Sequence, residues 1–194
     1  MQDIWRRIEA QFQLHAPEEL RRLSPGATEG RIADVESLVG RRLPEDIRQS
    51  YAIHDGAAGY IVPSGPELGE FDFLLDLETV ARELSVWREL LEGGDFQDSV
   101  PESVIGPMKH VWWSMDWVPI VGEGTGDHLC IDLDPAEGGS VGQVFDFGHE
   151  YGPTRVFFPS FRAYLEQYAA DLESGAIRFN AEEVVWVRAG HPAA

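Results

Sequence analysis

The stretch Asp127-His128-Leu129-Cys130-Ile131-Asp132-Leu133-Asp134-Pro135 decides the fold class. Leu129, Ile131 and Leu133 alternate with His128, Cys130 and Asp132, the two-residue period of a strand whose two faces meet different surroundings. Asp134-Pro135 and Gly138-Gly139 supply turn chemistry, and a second alternating run follows over 141–147, with Val141, Gln143, Phe145 and Phe147 on one face. Working outward, residues 117–121 read as the strand before this pair and 154–158 as the strand after it. Strands joined by short turns make an antiparallel meander.

Outside the meander the period changes to that of a helix. Ile4, Ile8 and Phe12 fall four residues apart with Trp5 beside them, one apolar stripe on a first helix, and Pro17 and Pro25-Gly26 break the run. Thr28 is placed to cap a second helix that buries Ile32, Val35 and Leu38/Val39 and stops at Gly40. Pro44 suits the first turn of a third, which turns Ile47 and Tyr51 inward and ends at His54-Asp55-Gly56. Residues 57–69, rich in Gly and Pro, read as a loop, 71–75 as a short strand and 78–91 as a helix closed by Gly93-Gly94. After the meander, Ser160 caps a helix carrying Phe161, Tyr164, Leu165, Tyr168, Ala169 and Leu172 on one side and ending at Gly175, and residues 183–188 read as a last short strand. The expectation is one α+β domain over 1–194, with helices packed on an antiparallel sheet and a core at about 26–175.

Charge narrows the function classes. The formal net charge is −19, and from residue 49 to 154 there are 20 acidic residues against Arg82, Arg88 and Lys109. Between Lys109 and Arg155 eight acids occur with no Lys or Arg: Asp116, Glu123, Asp127, Asp132, Asp134, Glu137, Asp146 and Glu150. Such a surface repels nucleic-acid phosphates and anionic lipid and draws in a basic protein. The single cysteine cannot form an internal disulfide, and no stretch approaches the roughly 20 apolar residues that span a bilayer, so a cytoplasmic protein without leader or membrane span is expected.

The residues Leu43-Pro44-Glu45-Asp46-Ile47-Arg48, then Tyr51, then His54-Asp55-Gly56, resemble the signature of the SUKH superfamily. Trp117-Val118-Pro119-Ile120, the run from Gly124 to Pro135, Gly142-Gln143-Val144 and Ser160-Phe161 follow in that superfamily's order. The resemblance implies a non-catalytic protein-binding fold, found in fungal regulators of cell-wall synthesis and in bacterial immunity proteins that neutralise toxins. A bias of 14 Arg to one Lys suits a GC-rich bacterial gene. The leading expectation is therefore a bacterial immunity protein masking a basic toxin domain, and the alternative is an intracellular scaffold or regulator of signalling or wall synthesis.

Catalytic readings are weaker. His54-Asp55 lacks the partner His and Asp of a metal phosphohydrolase, and Asp-Gly at a helix end is a turn former. Asp127, Asp132, Asp134, Asp146 and His149 do not follow an EF-hand spacing. His128 and Cys130 lack the orienting group and oxyanion donors of a thiol mechanism, and Gly122-Glu123-Gly124-Thr125-Gly126 lacks the lysine of a phosphate loop. No metal or cofactor is expected. A partner is expected to meet the acids named above together with Asp55, Asp72, Trp112 and Trp113, aromatics amid acids being suited to an Arg- and Lys-bearing surface.

Overall fold

The computed structural model describes residues 1–63, 71–122 and 124–190. Helices α1 (Gln2–His15), α2 (Pro17–Leu20), α3 (Glu29–Val39) and α4 (Glu45–Ile53) come first, then strands β1 (Val62–Pro63) and β2 (Phe71–Leu74) and helix α5 (Leu77–Gly93). Strands β3 (Trp117–Gly122), β4 (His128–Asp132), β5 (Gln143–Gly148) and β6 (Gly152–Phe158) follow, then α6 (Phe161–Ser174) and the hairpin β7 (Ile177–Asn180) and β8 (Val185–Arg188). The chain is an α+β protein.

The helix ends expected from the caps are in place. Thr28 accepts from the Arg31 amide, Asp76 from Thr79 and Ser160 from Ala163. Gly40, Gly94 and Gly175 close α3, α5 and α6 in the left-handed conformation that spares glycine a Cβ clash. Pro44 stands one position earlier than expected, as the N-cap of α4.

The sheet runs β1-β2-β3-β4-β5-β6, antiparallel throughout, so the meander stands as read from the sequence. Three features differ. A short strand, β1, sits within the stretch read as a loop, which otherwise lies outside the described residues from 64 onward. A one-turn helix, α2, starts at Pro17 where a break was expected, because proline suits the first helical turn. The last strand pairs with β7, which the sequence reading missed, in a separate hairpin.

Both faces of the sheet are covered, and this determines where a partner can reach. One face carries Val118, Ile120, Leu129, Ile131, Leu133 and Val144 against the apolar sides of α1, α3, α4 and α6, with Trp5, Phe12, Tyr51, Tyr164 and Tyr168 filling the interior. The opposite face carries Trp117, Cys130, Phe145 and Phe147 beneath Trp87 of α5 and Met108 and Trp113 of the long connection from α5 to β3. Trp87 and Trp113 stack at 4.4 Å, and Phe147 meets each edge-on at 4.9 Å, an arrangement that aromatic quadrupoles favour.

Candidate functional site

That second layer changes the status of the acidic hairpin. Asp132, expected among the partner contacts, is buried, and so is His128 on the same strand. Asp132 is fully enclosed; it accepts from the Asp134 amide at 3.0 Å and from Gln143 Nε2 at 3.0 Å, and burial raises its carboxyl pKa above the ordinary carboxylate value. Trp113 is a core residue. Trp112 is half-buried and stacks on Phe96. The aromatic roof was not legible from the sequence as a layer, because Met108 and Trp113 lie in a connection without periodicity.

The remaining expected contacts divide by what holds them. Asp116 pairs with Arg41, and Asp134 with Lys109 and Arg41. Asp127 accepts from the backbone and ring Nδ1 of His149, at 2.9 and 2.8 Å. Asp146 is half-buried, accepts from Thr154 Oγ1 at 2.5 Å and is pushed up by burial. Asp72 is half-buried on β2 opposite Val62. Glu137 and Glu150 are exposed, and neither is in an ion pair among the described residues. Glu123 lies outside the described residues.

Asp55 is 5 % exposed and serves the fold. Its Oδ1 accepts from the Leu77 amide at 2.8 Å, at the unpaired N-terminus of α5, while Oδ2 pairs with Arg31 at 3.0 Å. Gly56 beside it has φ +79°, and a Cβ there would lie 2.5 Å from the Asp76 nitrogen. Asp-Gly therefore joins the end of α4 to the start of α5. His54 is bound on both ring nitrogens, to the Ser24 carbonyl at 2.9 Å and Glu9 at 2.8 Å.

Groups that could do chemistry are scattered. Cys130 is buried, and burial raises its thiol pKa well above the ordinary value. His128 Nε2 faces Glu83 Oε2 at 3.6 Å, a charge contact longer than a hydrogen bond, and it holds the Glu83 carboxyl below the ordinary carboxylate value. Among the described residues no three His, Cys, Asp or Glu side chains gather as a metal site, and no helix is long and apolar enough to cross a membrane.

What remains open on the acidic side are the last turns of α5, the connection from α5 to β3 and the β6 edge. Glu89, Glu92, Asp95, Asp98 and Glu102 are exposed and form no ion pair among the described residues. Sequence reasoning passed over them in favour of the longer acidic run after Lys109. The available signal was a stretch from 89 to 108 with five acids and no Lys or Arg.

The SMI1 / KNR4 family (SUKH-1) matches residues 26–167, from the start of the segment before α3 into α6, through the whole sheet. The chain belongs to this family. A KNR4/SMI1 homolog of Yarrowia lipolytica is 28% identical over 88% of this chain and 30% of its own length. A cell wall biosynthesis/cell cycle regulator of Schizosaccharomyces pombe is 30% identical over 89% of this chain and 36% of its own length. A glucan synthesis regulatory protein of Neurospora crassa is 27% identical over 88% of this chain and 38% of its own length. The chain thus spans about a third of the length of these relatives.

These relatives overturn the leading expectation. They are fungal proteins, two of them named as regulators of wall or glucan synthesis, where a bacterial immunity protein against a basic toxin was expected. The Arg bias misled because it reports on codon composition, and the acidic surface misled because a field that draws in basic proteins does not say which ones.

Proposed function

We propose that this chain acts as a protein-binding module in the regulation of cell-wall synthesis, an intracellular scaffold that brings proteins together without a reaction of its own. The observation that carries this reading is the family match through the whole sheet, to relatives named as regulators. The scattered placement of His54, His128, Cys130 and Asp132, each tied into the packing, supports a role without catalysis. We take the 194 residues as one SUKH-like domain with its core at about 26–175, and the cytoplasm as its place. No cofactor enters this function.

Affinity capture from the source cell with the tagged chain, at low and high salt, tests the reading. Several regulatory or wall-synthesis proteins are expected, with recovery falling as salt screens the acidic surface. Recovery no richer than that of the tag alone contradicts it.

A further inference from the structure

Strand β6 is the last strand of the sheet, and a cavity of about 380 Å³ opens along its edge. Its apolar wall is Ile105, Tyr151 and Phe157, with Ile105 53% and Tyr151 38% exposed; Asp146 and Thr154 line it too, and Glu102 stands at its side. Large apolar side chains left open in a groove mark a surface that another chain covers.

The chain's own backbone fills part of this edge and fixes Ile105 as one wall of the groove. Residue 105 lies beside β6 as a one-residue parallel bridge: its amide donates to the Thr154 carbonyl at 2.7 Å, and its carbonyl accepts from the Val156 amide at 3.0 Å. The pairing stops at Gly106, whose φ of +110° turns the chain away and where a Cβ would lie 3.0 Å from Val156 Cγ2.

Charge selects the occupant. Glu102 is exposed and in no ion pair among the described residues, Asp146 is half-buried in the wall, and exposed Glu150 precedes Tyr151. Among the described lining residues Arg155 is the one cation, and it lies opposite Asp146 in the β5–β6 register, which leaves Glu102 as the acid that faces a partner. Asp95 and Asp98 precede the groove in the same unpaired acidic stretch.

We propose that the groove along β6 docks a segment of a partner protein, with an apolar side chain seated against Ile105, Tyr151 and Phe157 and a Lys or Arg against Glu102. This deepens the protein-binding reading and rests on it. Affinity comes from apolar burial, and selection for basic segments comes from Glu102 at the rim.

The test is fluorescence anisotropy of the full chain with a labelled ten-residue peptide of alternating Lys and Val. Saturable binding is expected that weakens at least tenfold in Glu102→Lys and in Tyr151→Ser and is absent for the matching Glu and Val peptide. Glu137→Lys makes the same change in net charge at an exposed residue outside the groove lining, and its affinity is expected to stay within about twofold of wild type. Equal weakening by Glu102→Lys and Glu137→Lys reduces the effect to net charge and overturns the proposal, as does the absence of saturable binding. Partner capture with the Glu102→Lys protein separates this proposal from the reading it rests on: undiminished capture removes the groove and leaves the binding module standing, and lost capture supports the groove.

Discussion

Replacing Asp55 with alanine tests the account of the family's Asp-Gly pair as a structural joint. The substitution removes the acceptor of the Leu77 amide, in the first turn of α5, and leaves that donor buried. A hydrogen bond to a charged group contributes about 1.5–3 kcal/mol. The ion pair with Arg31 adds less than about 1 kcal/mol, because the arginine is about half exposed and solvent screens it. A total loss of about 2–3 kcal/mol follows, a fall in Tm of about 5–10 °C for a chain of this length. Asp55→Asn keeps an oxygen for the Leu77 amide and loses only the charge, so it should lose about 1 kcal/mol. Urea denaturation of the three proteins, followed by tryptophan fluorescence, reads both values. An alanine protein within about 0.5 kcal/mol of wild type, or equal losses for alanine and asparagine, would refute the reasoning.

Three further outcomes follow from the same structure. The folded pKa of Glu83 lies below its unfolded value near 4.5, so its stabilising contribution is present above that pH and is lost as the pH falls through the folded value; Glu83→Gln should flatten the acid limb of the stability profile below about pH 4.5, and a limb as steep as wild type would count against the His128 contact. Trp113→Ala should cost about 3–5 kcal/mol by opening the aromatic layer, whereas Trp112→Ala, at a half-exposed site, should cost less than half as much in the same urea titration. Cys130 should resist a thiol reagent in the native protein and react with one equivalent once unfolded, and fast reaction in native buffer would contradict its burial.

The sheet and the main helices were legible because their signals are local. Alternation at 127–133 and 141–147, the caps Thr28 and Ser160, and the stops Gly40 and Gly175 each follow from backbone geometry within a few residues. The β7 strand escaped because four residues with two apolar positions carry too little period to separate from a turn. The interaction surface was less legible. Charge along the chain marked an acidic region, but pairing of Asp116 and Asp134 with Arg41, and enclosure of Asp132 against Gln143, depend on contacts between residues on different elements. Whether a strand's second face meets water is settled by what covers it, and here the cover is the irregular connection between α5 and β3.

The measurement that bears most directly on the account is the incorporation of a labelled precursor into wall polymer in source cells from which this protein has been deleted. An altered rate is expected, restored by the wild-type chain and equally by His54→Ala and Cys130→Ser proteins shown to be folded. An unchanged rate on deletion, or restoration that fails only with those two substitutions, would contradict a wall-synthesis regulator that works by binding alone.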